Sequence, residues 1–234
     1  MASIRISVII PTLNEARMIA DTLAHTATLD FDEVIVVDGG SRDRTTEIAE
    51  TFQVQSSNPL ILLTSPAGRA TQMNAGAAAA TGDILLFLHA DTHLPADARG
   101  AIEGALRDPA CVGGRFDVRF DRPTRLARTI SVMMNARSRW TGIATGDQAI
   151  FVHRLVFDRL GGFPALPLME DVEFSRRLKR AGRVAALRAT VTTSFRRWER
   201  GGPVRTILLM WVLRFLYWIG ISPRTLARWY PMVR

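Results

Sequence analysis

The sequence predicts an α/β chain: a doubly wound, mainly parallel sheet with helices on both faces, followed by a C-terminal helical extension. Three observations carry this. Short β-branched runs alternate with helix-patterned stretches over residues 4–88, the βαβ rhythm of a parallel sheet. Each of the four runs ends in polar or flexible residues. After Gly201-Gly202-Pro203 the chain turns into a long apolar segment.

The elements follow in order. Ile4 to Ile10 is a β-branched run closed by Pro11 and reads as a buried strand. Asn14 to Leu29 carries helical apolar spacing at Met18, Ile19 and Leu23. Glu33 to Val37 is a second buried strand, and Ser41 or Asp43 is placed to cap a helix over Arg44 to Phe52. Leu60 to Leu63 is a third strand, Ala70 to Ala80 an Ala-rich helix and Asp83 to Leu88 a fourth strand. The second half is less regular. It reads as helices over 96–106, 124–138, 155–160 and 172–181, with strands over 113–120, 146–152 and 184–189. An apolar helix over Val204 to Ile221 follows, and Ser222-Pro223 has the N-cap and N1 pattern of a last short helix.

With 234 residues, 47% of them hydrophobic and 22% charged, the chain can bury a sizeable core. Cys111 is the one cysteine, which excludes an intrachain disulfide framework and a thiolate zinc cluster. The opening residues lack a basic head, a long apolar stretch and a small-residue cleavage site, so a cytoplasmic location is expected. The net charge of +8 is unevenly placed. Residues 174–234 hold thirteen arginines and one lysine against a single acid, Glu199, whereas the preceding residues sum to −5. Such a tail favours an anionic partner.

A doubly wound sheet binds ligands beyond the carboxyl ends of its strands, and the polar residues fall there. Thr12 and Glu15 follow the first strand, Asp38 the second, Gly68 and Arg69 the third, His89 and Asp91 the fourth. Asp91 either caps a turn before Pro95 or holds a divalent cation against a diphosphate. The His89-x-Asp91-x-His93 spacing also permits a zinc or iron site. Glu170 and Asp171 are either first-turn acids matched to a helix dipole or a base able to take a proton from a hydroxyl. Gly68-Arg69, with the amides of Gln72 and Asn74, suits a phosphate at a helix start. In Asp38-Gly39-Gly40-Ser41 the glycines can serve the turn, while Asp38 is placed to accept from ribose hydroxyls or a base. Gly146-Asp147-Gln148 is a structural turn or part of an acceptor site, and Arg196-Arg197-Trp198 a pyrophosphate contact or a basic surface.

In combination these stretches resemble glycosyltransferase family 2, the large inverting group with the Rossmann-like GT-A fold. The matching segments are residues 8–15, 36–43 and 83–91, then Gly146-Asp147-Gln148, Gly161-Gly162-Phe163 and Glu170-Asp171, and the likeness covers about residues 4–200. It is nearest a small bacterial subgroup described as radical-SAM/selenodomain-associated transferases. The resemblance implies a nucleoside-diphosphate-sugar donor lined by Pro11, Thr12, Glu15 and Asp38, with Gly68 and Arg69 beside it. It implies Mg²⁺ or Mn²⁺ at Asp91, with His89 in the place of the first acid of the family's DxD motif, and Asp171 as base for an acceptor hydroxyl. Arg197-Trp198 is similar to the Arg-Trp of processive members, but Thr193 and Ser194 stand where their Gln belongs.

The expected division is therefore a catalytic domain over 1–200, with a nucleotide-sugar half over 1–95 and an acceptor half over 96–200, and a helical extension over 201–234. The extension either attaches peripherally to an anionic membrane at the inner face of the cell, through Trp211, Tyr217, Trp218 and basic flanks, or packs on the domain or in a homodimer. Arg214 at its middle argues against a full span. No nucleic-acid partner is expected. The rivals are a sugar-phosphate nucleotidyltransferase and a noncatalytic nucleotide- or membrane-binding scaffold. The first needs a Gly-rich basic loop after the first strand, where this chain has Pro11-Thr12-Leu13-Asn14-Glu15-Ala16-Arg17.

Overall fold

The first strand, β1 (Ile6–Thr12), shows why the sheet is wound on both sides. Ile6, Val8 and Ile10 are fully buried with Ile19, Leu23 and Ile102, while Ile9 is buried on the opposite face with Met73 and Ala77. A run of apolar residues without alternation is what a strand covered on both faces requires. The computed structural model describes residues 4–55 and 59–230. The opening Met1 and Arg234 of the basic flank lie outside the described residues.

β2 (Glu33–Asp38), β3 (Leu60–Thr64) and β4 (Ile84–Phe87) join β1, with α1 (Ile19–Ala27), α2 (Thr45–Gln55) and α3 (Arg69–Ala79) between them. β2 and β4 flank β1 in parallel, Ile9 opposite Ile35 and Val8 opposite Leu86. The strand order therefore reverses at β1 and β4, which opens a crevice at their carboxyl ends. α3 lies close against β1 because residue 76 is glycine: a Cβ there would meet Ile9 Cγ2 at 2.5 Å.

The rest of the chain continues the same sheet. In order come β5 (Thr92–His93), α4 (Ala98–Leu106), β6 (Cys111–Phe120), α5 (Arg125–Thr141), a 3₁₀ turn (Gly146–Gln148), β7 (Ile150–His153) and α6 (Arg154–Arg159). α7 (Glu170–Ala181), β8 (Arg183–Thr193), α8 (Arg196–Gly201), α9 (Pro203–Trp218) and α10 (Pro223–Trp229) complete the described residues. The sheet order is β3-β2-β1-β4-β7-β6-β8-β5. β7 is antiparallel to β4 and β6, β8 is parallel to β6, and β5 is antiparallel to β8. Phe87, Phe157, Phe163 and Phe174 pack ring to ring, with Phe163 and Phe174 centroids 4.3 Å apart. That cluster seats the amino end of α7 over the crevice.

Several boundaries differ from the sequence reading, for identifiable reasons. The helix expected from Asn14 begins at Ile19, because Asn14 adopts a positive φ of 55° and residues 14–16 are held by side chains of the next loop. Ser41 Oγ and Thr45 Oγ1 accept from the Asn14 and Glu15 N–H groups at 2.9 and 2.8 Å. Asp43, not Ser41, caps α2 by accepting from Thr45 N–H. The strand expected over 146–152 starts only at Ile150, since Thr145 and Gln148 close a capping box on a 3₁₀ turn. α7 starts at Glu170 rather than Val172, so both acids sit in its first turn. β5 and α8 were not expected, being too short to leave a period in the sequence.

The extension packs on the start of α7 along one side. Leu213 and Leu226 are fully buried with Met169 and Val172. The other side of α9 leaves Leu208, Trp211, Val212, Phe215 and Trp218 exposed. No helix among the described residues is long and apolar enough to cross a membrane.

Candidate active site

At the carboxyl ends of β1 and β2 the polar groups hold one another. Asp38 is buried, and one carboxylate oxygen accepts from the N–H groups of Gly40 and Ser41, each at 2.8 Å. Its other oxygen accepts from Ser41 Oγ and, at 3.4 Å, from Thr12 Oγ1. Gln72 Nε2 donates to the carbonyls of Thr12 and Val37 at 2.7 and 2.9 Å. Asn74 clasps the backbone of Phe163 with both ends of its amide. The two amides expected around a phosphate are thus spent on holding strand ends and the Gly161-Gly162-Phe163 loop. Gly68 caps α3 with φ 147°, and Arg69 follows as its first residue.

Across the crevice stand the acids of the second half. Arg69 Nη1 lies 3.8 Å from Glu170 Oε1. Glu170 is buried, and burial together with the neighbouring Asp171 pushes its carboxyl above the usual range, against the pull of Arg69. Asp171 is more open. Its Oδ2 accepts from the Gly146 N–H at 3.0 Å and its Oδ1 from the Val172 N–H at 2.7 Å. Asp147 takes His89 Nδ1 at 3.1 Å. Burial opposes ionisation of Asp147, but His89, Arg197 and Arg69 outweigh it and hold the carboxyl well below the ordinary carboxylate range. Residue 146 must be glycine for this pairing, since a Cβ would lie 2.4 Å from His89 Nε2.

The third group is basic. Arg196 Nη2 reaches both Glu15 oxygens, at 2.7 and 2.6 Å, and Asp91 Oδ2 at 3.1 Å. Burial raises the Glu15 carboxyl, and Arg196 opposes that rise. Arg197 stacks over Tyr230, 4.5 Å from the ring centroid, and faces Asp147.

Pro11, Arg69, His89, Gly146 and Asp171 line one cavity. Five of the residues singled out in sequence thus come together there, from β1, α3, the β4 end, the 3₁₀ turn and α7. Residues 7–164 match the family described as glycosyl transferase family 2. The chain belongs to glycosyl transferase family 2. Among its relatives in this family is the PGL/p-HBAD biosynthesis glycosyltransferase of Mycobacterium bovis (strain BCG), 33% identical over 171 residues, 70% of this chain and 62% of that one. A probable glycosyltransferase of Bacillus subtilis, YdaM, is 29% identical over 198 residues, 76% of this chain and 47% of that one. The chain thus spans less than two thirds of either relative.

Solved family-2-like structures share the GT-A architecture. The mannosyltransferase PcManGT from Pyrobaculum calidifontis, in complex with GDP-Man and Mn²⁺, superposes with a TM-score of 0.65 at 25% identity, over 83% of this chain and 58% of that one. TarS 1–349 of S. aureus in complex with UDP-GlcNAc gives 0.60 at 21% identity, over 81% and 58%.

Other predicted residues do different work. Gln148 is fully buried, with its Oε1 accepting from the Thr145 N–H at 3.2 Å. Trp198 packs against Phe120 and Phe195. His93 pairs with Asp21 at 3.1 Å and stacks on His25, so His89 and His93 turn to separate partners and do not form the zinc or iron pair their spacing permits. Among the described residues no three His, Cys, Asp or Glu side chains gather to hold a metal. A single carboxylate such as Asp91 could take Mg²⁺, which commonly binds one or two carboxylates and fills its shell with phosphate and water. The sequence reading missed Arg137, which left no motif, and it noted Arg214 only as a charge out of place in an apolar helix.

Proposed function

We propose that the chain is an inverting glycosyltransferase, moving a sugar from a nucleoside-diphosphate sugar to an acceptor hydroxyl. The observation that carries this reading is the shared cavity in which Asp171 faces Pro11, Arg69 and His89. On this reading Asp171 would activate a hydroxyl beside the β1–β4 crevice, the place where a doubly wound sheet takes a nucleotide. The relatives' names and the Mn²⁺ and GDP-Man of PcManGT agree with it.

In this mechanism Asp171 takes the proton of the acceptor hydroxyl as it attacks the anomeric carbon from the face opposite the diphosphate. The Gly146 and Val172 N–H groups fix the orientation of the carboxylate. Glu170, buried and inclined to keep its proton, is the poorer base of the pair. Arg69 and Arg197 supply positive charge toward the departing diphosphate. Asp91 would hold Mg²⁺ or Mn²⁺, which supplies Lewis-acid stabilisation of the leaving group when bound. Thr12, Glu15 and Asp38 belong to the donor side, Asp38 by shaping the loop more than by offering free oxygens.

The test is a transfer assay across nucleoside-diphosphate sugars with Mn²⁺ or Mg²⁺. Asp171→Asn should lower kcat about 10²–10⁴-fold, the usual worth of a general base, while donor binding persists. Asp91→Asn should weaken metal-dependent donor binding. A nucleotidyltransferase would instead release or consume pyrophosphate with a sugar phosphate, and a scaffold would bind donor without turnover.

The exposed side of α9 favours peripheral attachment to an anionic membrane. Trp211, Phe215 and Trp218 are exposed there, and Leu208, Leu209 and Val212 line a groove with Trp229 and Arg205. Aromatic side chains beside arginines suit the headgroup boundary. Flotation on anionic vesicles should be lost in Trp211→Ser/Trp218→Ser and weakened by salt. A full-length protein that ignores such vesicles at low salt and runs as a stable dimer would assign this face to self-association instead.

A further inference from the structure

Two arginines of the second half are not explained by the donor site. Arg137 comes from α5 and Arg214 from α9. Arg214 directly follows Leu213, which is fully buried against Met169 and Val172, the residues that bracket Glu170 and Asp171. Arg137 lies two residues beyond Asn135, whose amide touches Gln148 of the 3₁₀ turn at 3.5 Å. Both helices thus pass beside the 3₁₀ turn and the residues that bracket the two acids.

Neither is satisfied. Arg137 Nη2 and Arg214 Nε are buried without a hydrogen-bond partner among the described residues. The acids that both face are Asp171 and Asp147. Asp171 is already bound by Gly146 and Val172, and Asp147 by His89. Burial and mutual repulsion bring Arg137 down to about 10. Burying like charges with idle donors is costly unless an anion completes the group. Asp91 acts on Arg69, Arg196 and Arg197 but not on Arg137 and Arg214, while Asp171 and Asp147 act on Arg69 and Arg197 as well.

We propose that Arg137 and Arg214 form an anion subsite next to Asp171 that holds a phosphate group carried by the acceptor. The inference rests on the glycosyltransferase reading for the word acceptor, and it adds the chemical class of that substrate. A guanidinium fork matches phosphate oxygens in pairs. The phosphate would fix the acceptor so that its hydroxyl lies at the Asp171 carboxylate, and no bond to phosphorus is made or broken. The phosphate belongs either to a soluble ester or to a lipid headgroup, and the experiment separates the two.

Inorganic phosphate is titrated calorimetrically into the full chain, alone and with saturating UDP or GDP. Phosphate should still bind when the nucleotide site is full. Arg137→Gln and Arg214→Gln should each weaken it roughly ten- to a hundred-fold, the worth of hydrogen bonds to a charged group, with nucleotide affinity unchanged. Arg137→Lys and Arg214→Lys, which keep charge and stem but lose the fork, should show a smaller loss and serve if a glutamine variant melts early. Arg-dependent binding of glycerol phosphate marks a soluble acceptor. Arg-dependent binding of phosphatidic acid vesicles over neutral ones marks a lipid; either result supports the subsite. Phosphate excluded by the nucleotide, or bound equally by all four variants, overturns it. Absence of transfer from every nucleoside-diphosphate sugar fails the glycosyltransferase reading separately, and the arginine dependence of phosphate binding still judges the subsite.

Discussion

The two sides of the crevice are built on opposite principles. On the β1–β2 side, Asp38, Asn14 and Gln72 spend their polar atoms on backbone groups of neighbouring loops. On the α7–α9 side, Glu170 holds a carboxyl that resists ionisation, and Arg137 and Arg214 bury idle donors. A fully satisfied network is rigid, whereas an unsatisfied one stores free energy that a ligand can release. The first side is a preformed cradle. The second, on the proposed reading, is completed by substrate.

Three measurements can break this contrast. Gln72→Ala removes one of the donors to the Thr12 and Val37 carbonyls, which keep Gly39 N–H and Thr12 Oγ1, and should cost about 0.5–1.5 kcal/mol of stability, read by urea unfolding. If the protein is as stable as before, the cradle is not held by this amide.

Glu170→Gln should do the reverse. Because the folded-state carboxyl is raised, its contribution is fully present below the ordinary value of 4.5 and is lost as pH rises through the folded value. The variant should therefore melt higher than wild type at about pH 8 and lose that advantage in acid. A variant that melts lower at every pH would mean that the Arg69 pair outweighs burial.

Arg196→Ala probes the seam between the two sides. Freed of the guanidinium it shares with Glu15, Asp91 should bind Mn²⁺ a few-fold more tightly without nucleotide, on the order of 1 kcal/mol or less for a partly exposed pair. Unchanged Mn²⁺ affinity would show that Arg196 does not compete for Asp91.

The contrast also explains what the sequence disclosed. β1, β2 and β4 were legible because strands buried on both faces are unbroken apolar runs, Asp38, Arg69 and His89 because they follow such runs, and Asp171 because it is one of two adjacent acids at a helix start. The segment at Asn14 misled, since helical spacing at Met18, Ile19 and Leu23 says nothing of a positive φ imposed by Ser41 and Thr45 from the next loop. Gln72 and Asn74 were identified as polar groups near a helix start, but their partners lie 60 and 89 positions away. Arg137 left no sign because its meaning depends on α9, which is remote in sequence. Charge in an apolar helix was the one local clue, and it pointed to Arg214.

α9 carries Leu213 and Arg214 side by side, one anchored against Met169 and Val172 and the other turned to Asp171 and Asp147. Successive residues of a helix are rotated by about 100°. One residue inserted within α9 ahead of Leu213 would swing Arg214 away from the two acids and bring Leu213 into its place. The phase of this helix is thus a hidden coordinate of the enzyme. The length of the connection before Pro203 is free to drift, while α9 itself tolerates change only in whole turns.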